Sequence, residues 1–291
     1  MAVAVPNPPL SDAPLEPGLY LVSTPIGNLR DITLRALDVL AGADLVLAED
    51  TRVTAKLLRA YALKPRLWRY DDHAGEAVRP GVLAELARGG RVALVSDAGS
   101  PLVSDPGYRL ALEAIAQGTK VIPIPGASAV LAGLATAGLP TDRFLFAGFP
   151  PQKRGARQQF LTELAPVRAT LVIFEGASRL GDSLKDMAAI FGPRPAAVAR
   201  ELTKLHETVI RGRLDELAAD PRLNAPKGEV VILVGPGAEA ATTAADAEAA
   251  LVEALQRLAP SDAASEVARA TGLSRRELYR RAVELKSDRA R

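Results

Sequence analysis

The stretch Arg91-Val-Ala-Leu-Val-Ser-Asp-Ala-Gly-Ser-Pro101 decides the fold, because an almost continuous apolar run ends there in a carboxylate, a glycine and a proline. Short runs of this kind are typical of strands that are covered on both faces of a sheet. In open α/β sheets, ligands bind at the carboxyl ends of such strands. We therefore predict a buried strand at residues 91–96, followed by a loop in which Asp97 and Gly99 contact a ligand.

Similar apolar runs recur along the first half of the chain and alternate with segments of helical periodicity. The runs lie at residues 19–23, 44–48 and 120–124. The helical segments span residues 33–40, 52–61, 76–88, 107–116 and 128–137. Strands that alternate with helices in this way are typical of a largely parallel sheet with helices on its faces. The first part of the chain is therefore predicted to be an α/β layer.

After Gly138-Leu-Pro140 the pattern changes, because strand-like runs become frequent and only two clear helices separate them. These runs lie at residues 143–149, 170–175, 196–201, 208–212 and 229–234. They predict a second, mixed α/β domain. Residues 235–246 have the composition of a linker, and the sequence beyond them has helical periodicity only.

These patterns set the domain boundaries that we predict. Residues 1–17 form a flexible N-terminal segment, residues 18–140 the first α/β domain, and residues 141–238 the second. Residues 247–291 form a small helical appendage at the C-terminus, in which Leu251 begins an apolar stripe.

Composition narrows the classes of protein to which the chain can belong. The sequence has 291 residues, a formal net charge of +2 and no cysteine, which excludes a disulfide scaffold, a thiolate nucleophile and a cysteine-based zinc site. His73 and His206 are the two histidines and form no metal-binding motif, so we predict no metal. The apolar runs are too short to span a membrane, and we find no signal peptide. We therefore expect a cytoplasmic protein without membrane contact.

Three glycine-containing loops follow predicted strands of the first domain, at residues 23–28, 97–107 and 125–128. Because the carboxyl ends of parallel strands lie at one edge of a sheet, these loops predict a ligand-binding cleft. Two residues in the loops have a simpler alternative role. Asp105, which precedes a proline, and Ser128 both have the position and residue type of a helix N-cap.

Longer segments that contain these loops resemble the bacterial 16S rRNA cytidine 2′-O-methyltransferase family, a branch of the tetrapyrrole methylase fold group. The segments are Leu19–Ala36, Ala48–Arg52, Ser96–Tyr108, Pro123–Ala129, Gly138–Phe144 and Ala199–Lys204. The resemblance implies two α/β domains with S-adenosylmethionine in the cleft between them, and a homodimer. It also implies 2′-O-methylation of a cytidine ribose in the RNA of the small ribosomal subunit.

By the same resemblance, residues of all three loops line the cofactor pocket. They are Pro25, Ile26 and Gly27 on the first loop, Asp97, Gly99, Ser100 and Val103 on the second, and Ser128 and Ala129 on the third. The chain departs from the family where Ala127 replaces a proline and where Gly176-Ala-Ser178 replaces a Ser-Pro-His run. A histidine and an asparagine of the family are also missing near His73, where this chain has Ala74-Gly75-Glu76.

Methyl transfer from a sulfonium to a hydroxyl is a direct displacement, in which alignment of the reacting atoms lowers the barrier by about 7–11 kcal/mol. A general base adds about 10²–10⁴-fold. Asp50, at the end of a predicted strand that faces the same cleft, is the candidate base. The alternative is that Asp50 only stabilises a turn or the first turn of a helix, where carboxylates are favoured.

Basic residues are the candidates for RNA binding, because phosphate contacts dominate affinity for nucleic acids. Those near the cleft are Arg52, Lys153, Arg154 and Arg157, and those in the C-terminal region are Arg275, Arg276 and Arg280. Residues 265–272 and 273–281 have a helix-turn-helix-like pattern, with Ser274 as a helix cap. We favour RNA contact for these helices, with simple packing as the alternative.

Two other functions fit parts of the sequence. A ligand-sensing DNA-binding regulator would use the helix-turn-helix-like region, but the enzyme resemblance covers most of the chain, and we expect no DNA partner. An S-adenosylmethionine-dependent methyltransferase acting on a tetrapyrrole or another small molecule would explain the cleft and leave the basic C-terminal region unexplained. The sequence therefore favours ribosomal RNA as the substrate.

Overall fold

The computed structural model describes residues 10–11, 13–71, 74–237, 244–271 and 273–288. The chain divides into two compact units, Met1–Pro236 and Gly237–Arg291. The residues outside this description include parts of the predicted flexible segment and linker, namely 1–9, 12 and 238–243, and also His73. The predicted boundary between two α/β domains at residue 140 lies inside the first unit and stays a prediction.

Parallel strands form the first sheet, as predicted. They are β1 (Gly18–Val22), β2 (Leu45–Ala48), β3 (Leu67–Arg69), β4 (Arg91–Val95) and β5 (Val121–Ile124), in the order β3-β2-β4-β1-β5. Sequence analysis does not predict β3, because this short edge strand lacks an apolar run. The helices of this layer match the predicted segments and are α1 (Leu34–Gly42), α2 (Thr51–Ala60), α3 (Gly75–Ala87), α4 (Tyr108–Ala116) and α5 (Ala129–Ala137).

Both faces of the first sheet are covered, which explains the continuous apolar runs. Every residue of β2 is buried. Leu45 and Leu47 belong to the core on one face together with Leu94, whereas Val46 and Val95 belong to the core on the other face. Because successive side chains of a strand point to opposite faces, burial of both faces requires an apolar residue at every position.

A mixed second sheet follows, also as predicted. Its strands are β6 (Phe144–Gly148), β7 (Thr170–Gly176), β8 (Pro195–Arg200), β9 (Thr208–Arg213) and β10 (Glu229–Val234), in the order β6-β7-β10-β8-β9. Strands β6 and β7 pair in parallel, and the other neighbours are antiparallel. The core on one face of this sheet includes α6 (Arg154–Leu164), α7 (Leu180–Phe191) and the short α8 (Leu214–Ala219).

Helix α5 joins the two sheets. It follows β5 of the first sheet, yet its Leu134 belongs to one apolar cluster with Val231 and Leu233 of β10. Gly133 lies against the same two β10 residues, since a Cβ there would be in van der Waals contact with both side chains at 3.4 Å. Ile26, in the loop after β1, belongs to the same cluster. The packing therefore brings the loops at the carboxyl edge of the first sheet against the second sheet.

The C-terminal unit contains α9 (Ala244–Ala254), α10 (Pro260–Thr271) and α11 (Arg275–Asp288). Its core includes Leu251, Val267 and Leu278, one residue from each helix. Helices α10 and α11 occupy the predicted helix-turn-helix-like segments, and α11 begins directly after Ser274. Of the helices in the described parts of the chain, none has the length and apolarity that crossing a membrane requires.

A buried ion pair connects α6 to α7 and corrects the RNA-binding prediction for Arg157. Its Nε donates a hydrogen bond to Asp186 Oδ2 over 2.8 Å, and its Nη2 lies 2.6 Å from the same oxygen. The side chains of Arg157 and Asp186 are only 6% and 3% exposed. Gln158 donates to the other carboxylate oxygen over 3.0 Å. Arg157 is therefore a structural residue of the second sheet's helical layer and is not available to a phosphate.

Replacement of Arg157 by methionine should lower the free energy of unfolding by about 3–5 kcal/mol, because the Asp186 carboxylate would stay buried without its cation. The matched control is Arg154→Met. Arg154 contacts the same carboxylate over 3.3 Å, but its side chain is 76% exposed, so we expect a loss of at most about 1 kcal/mol. Equilibrium denaturation measures both variants, and equal losses would contradict the assignment.

Candidate functional site

The three glycine-containing loops of the first sheet contact one another. The N–H of Thr24 donates to the carbonyl of Gly99 over 2.8 Å, and the N–H of Gly99 donates back to Thr24 over 3.1 Å. The hydroxyls of Ser23 and Ser100 are 3.1 Å apart and hydrogen-bonded. Gly126 of the third loop lies so close to Ser23 that a Cβ at position 126 would be 2.9 Å from the Ser23 Cβ. Hydrogen bonds and close packing thus fix these loops as one surface.

This surface and the second sheet enclose a cavity of about 370 Å³, which we call the main cavity. From the first sheet it is lined by Ile26, Asp97, Gly99, Ser100, Val103, Ser128 and Ala129. From the other side it is lined chiefly by β7 and β10 and by Phe149, which packs edge to face on Phe174 at 5.5 Å. The volume and the mixed apolar and polar lining are typical of a small-molecule site.

A second cavity of about 270 Å³, which we call the adjoining cavity, opens beside the first. Its lining includes Pro25, Gly27, Thr54 and Lys204. The residues that the two cavities share are Ile26, Asp97, Ala98 and Glu229. Every residue that the sequence resemblance assigns to the cofactor pocket therefore lines one of these two cavities.

Two partly buried carboxyl groups, those of Asp97 and Asp105, follow β4. Burial raises the pKa of Asp97, although the backbone N–H of Asp50 donates to its carboxylate over 3.0 Å. Burial also raises the pKa of Asp105, whose carboxylate accepts a hydrogen bond from the Ser96 hydroxyl. A cation in the cavity would stabilise the negative form of either group.

The predicted cap role is wrong for Asp105 and confirmed for Ser128. Helix α4 begins only at Tyr108, after Gly107 in a left-handed conformation with φ of 115°, and the Asp105 carboxylate turns to Ser96 instead. Ser128 is the N-cap of α5 and accepts a hydrogen bond from the N–H of Leu131 over 3.4 Å.

The surroundings of Asp50 favour the capping alternative over the predicted general base. Asp50 is the N-cap of α2, and its Oδ1 accepts from the N–H of Arg52 over 2.8 Å. The Arg52 guanidinium also pairs with this carboxylate at 2.6 Å and holds the pKa of Asp50 far below its usual range. A carboxylate that binds a proton so weakly is a poor base at neutral pH. Asp50 lines a separate charged cavity, and Asp97 lines both that cavity and the main cavity.

Sequence analysis misses the side of the site that the second sheet supplies. Phe149 and Phe174 face the main cavity, and Glu229 at the start of β10 borders both cavities. Lys204 lies in a turn after β8, and its Nζ is 2.9 Å from Glu201 and 2.9 Å from Glu229. None of these residues belongs to a ligand-binding motif. The available signal is the position of Lys204 inside one of the segments that carry the family resemblance.

The other predicted RNA-binding residues lie on several elements. Lys153 and Arg154 are exposed at the start of α6, and Arg52 is exposed on α2. In the C-terminal unit, Arg275, Arg276 and Arg280 are exposed on α11. Within the described residues, no group of histidine, aspartate and glutamate side chains has the arrangement of a metal site.

Comparison with protein families gives two matches that together span most of the chain. The family described as Tetrapyrrole (Corrin/Porphyrin) Methylases matches residues 18–218. The RsmI C-terminal HTH domain matches residues 241–286, which include α10 and most of α11.

Comparison with individual proteins agrees with these matches. The ribosomal RNA small subunit methyltransferase I of Mesorhizobium japonicum is 52% identical over 276 residues, which cover 94% of each chain. The protein of the same name from Erythrobacter litoralis is 53% identical over 277 residues, 95% of this chain and 98% of the relative. The crystal structure of uroporphyrin-III-C-methyltransferase from Thermus thermophilus superposes with a TM-score of 0.53 at 26% identity, over 75% of this chain and 93% of that one. The chain therefore belongs to the tetrapyrrole methylase family and groups there with the relatives named ribosomal RNA small subunit methyltransferase I.

Proposed function

We propose that this protein transfers a methyl group from S-adenosylmethionine to the ribose 2′-hydroxyl of a cytidine in the RNA of the small ribosomal subunit. The names of relatives at 52% and 53% identity support methylation of that RNA. The observation that carries the proposal is the main cavity, where three glycine-containing loops face β7 and β10. The cytidine and its 2′-oxygen are inferred from the resemblance of the sequence motifs.

The residues of the main cavity fit this cofactor, which supplies an electrophilic methyl carbon on a positively charged sulfur. Asp97 and Glu229 place carboxylates beside the cavity, where they suit the cationic groups of such a ligand. Phe174 offers an apolar surface for a purine ring. The N-terminus of α5, at Ser128 and Ala129, offers backbone N–H groups to a carboxylate.

The main cavity contributes alignment and exclusion of water to the reaction. The paired hydrogen bonds between Thr24 and Gly99 hold two of the cavity walls in place. Val230 and Val231 of β10 cover the opposite side with apolar surface. Because alignment alone supplies about 7–11 kcal/mol, the reaction does not depend on a strong base such as a histidine.

Exposed basic side chains are the proposed contacts to RNA phosphates. They are Arg52, Lys153, Arg154, Arg275, Arg276 and Arg280. With a net charge of only +2, the protein needs such local groups to bind a polyanion. The match of residues 241–286 to a helix-turn-helix domain supports a nucleic-acid role for the C-terminal unit.

A second candidate function is methylation of a tetrapyrrole or another small molecule. The structural similarity to a uroporphyrin-III-C-methyltransferase favours it, but at 26% identity it ranks below the ribosomal RNA proposal. The proposal also includes cytoplasmic localisation, where ribosomal subunits occur, and the homodimer that the sequence resemblance implies.

Labelled S-adenosylmethionine, incubated in parallel with unmodified small subunits, naked small-subunit RNA and a tetrapyrrole precursor, identifies the substrate. We expect label in the RNA. The linkage after the labelled nucleotide should resist alkaline hydrolysis, because a 2′-O-methyl group removes the hydroxyl that attacks the phosphate. Label in the tetrapyrrole alone would support the second candidate, and a labelled base on an unmodified ribose would exclude 2′-O-methylation.

Ser100→Trp should abolish binding of S-adenosylmethionine, because an indole at this position fills the main cavity. Isothermal titration calorimetry measures the effect, and the wild type should bind with or without a chelator. The control is Ser261→Trp, at an exposed position of the C-terminal unit, which should bind as the wild type does. Wild-type affinity in the Ser100 variant would place the cofactor elsewhere.

Asp50→Asn distinguishes the capping role of Asp50 from the predicted role as general base. Asparagine is also a good N-cap, so the fold should be retained, and the single-turnover rate of methylation should stay within about threefold of wild type. A general base would behave differently. If the rate fell by about 10²–10⁴-fold while cofactor and RNA still bound, Asp50 would be the proton acceptor after all.

A further inference from the structure

Lys204 reaches from the second sheet's side of the cleft across the first glycine-containing loop. A Cβ added to Gly27 would lie 2.6 Å from Cγ and 2.9 Å from Cδ of Lys204, so the absence of a side chain at Gly27 makes room for the lysine. The Lys204 side chain is only 25% exposed and lines the adjoining cavity. The Lys204 side chain therefore packs over Gly27, and its amine lies in the cleft.

The turn that carries Lys204 is strained. Glu201 and Thr203 both adopt left-handed conformations, with φ of 53° and 66°. Such conformations in residues other than glycine cost about 1–3 kcal/mol each and persist where the surroundings fix them. Here the N–H of Glu201 donates to the carbonyl of Glu229 over 2.9 Å, and the N–H of Glu229 donates to Glu201 Oε1 over 3.0 Å. Strain of this kind is concentrated at functional sites.

Lys204 stays protonated in this position. Burial opposes the charged form, but the carboxylates of Glu229 and Glu201 outweigh it and raise the pKa of Lys204. The ammonium group can therefore donate hydrogen bonds and stabilise negative charge, whereas it cannot remove a proton from a substrate. Glu229, which is 73% exposed, is the more accessible of its two carboxylate partners.

Glu229 lies at the junction of the two cavities, since it lines both. If the main cavity holds the methyl donor, an acceptor oxygen in the adjoining cavity beside Glu229 would lie next to it. Among the described carboxylates that line the main cavity, Glu229 is the one that pairs with a lysine of the adjoining cavity, whereas the others accept hydrogen bonds from other groups. Glu175 accepts from Ser183 over 2.5 Å and from Arg179 over 2.5 Å, and Asp97 and Asp105 accept the hydrogen bonds described above.

We propose that Lys204 and Glu229 form the site of the acceptor hydroxyl, an assignment that rests on the proposed methyl transfer to a ribose. The ammonium of Lys204 donates a hydrogen bond to the acceptor oxygen, and the carboxylate of Glu229 takes the hydroxyl proton. The oxygen forms a bond to the methyl carbon as the carbon–sulfur bond breaks, and the electron pair of that bond goes to sulfur. Lys204 stabilises the negative charge that develops on the oxygen before this bond is complete.

Single-turnover methylation at saturating cofactor and RNA, together with calorimetric titration of both ligands, tests the assignment. Lys204→Met keeps the length that packs on Gly27 and removes the charge, so both dissociation constants should stay within about threefold while the rate falls by about 10²–10³-fold. Glu229→Gln should lower the rate by about 10²–10⁴-fold with both ligands still bound. Lys204→Arg, which keeps the charge, should recover part of the loss.

The matched control is Lys227→Met, an exposed lysine beside the start of β10, which should methylate at the wild-type rate. If Lys204→Met binds both ligands and methylates normally, the assignment is wrong although the proposed function stands. If Lys204→Met loses cofactor affinity while Lys204→Arg and Glu229→Gln are fully active, Lys204 is only a packing contact. A wild-type protein that binds S-adenosylmethionine and methylates no ribose would overturn the proposed function and this assignment with it.

Discussion

The packing of α5 on β10 is the constraint on which the rest of the structure depends. The helix starts at the carboxyl edge of the first sheet, but its apolar side lies against Val231 and Leu233 of the second. Gly133 lies against the same two side chains. Because Ile26 packs in the same cluster and also lines both cavities, the contact that joins the sheets also forms a wall of the cleft. Apolar packing therefore determines where the polar groups of the site can meet.

The first sheet and its loops could be predicted because the residues that determine them are close together in the sequence. Burial on both faces leaves an apolar run in each central strand, and the loops that follow carry the glycines and prolines that let backbone approach a ligand. The failures have equally definite causes. Helix α4 begins only after Gly107, so the Asp105 carboxylate does not cap it and accepts a hydrogen bond from Ser96 instead. Arg157 looks like part of a solvated basic run because its partner Asp186 lies on another helix.

The second half of the site could not be predicted, since its residues are brought there by tertiary contacts. In the sequence, Phe149 and Phe174 look like ordinary apolar residues of a strand region. Only the structure shows that their rings pack together at the main cavity. Lys204 is placed at the site by its packing against Gly27, which lies in another part of the sequence. No periodicity or spacing encodes that contact. A motif in one loop therefore indicates which side of the first sheet binds a ligand. It does not indicate which residues of the second sheet complete the site.

The distribution of charge also limits how an RNA substrate could enter the proposed site. The carboxylates of Asp97, Asp105, Glu175 and Glu229 line the main cavity, and no lysine or arginine among the described residues lines it. Lys56 and Lys204 line the adjoining cavity, where Lys204 is already paired. Such a cleft attracts a cationic methyl donor and repels phosphate groups. The phosphates of a bound RNA must therefore stay outside, where exposed residues such as Lys153 and Arg154 can hold them, while an uncharged nucleoside enters. Under the proposed function, the loops of the first sheet would hold the methyl donor and the turns beside β8 and β10 would contact the acceptor, so that changes in those turns could alter the acceptor without changing the fold.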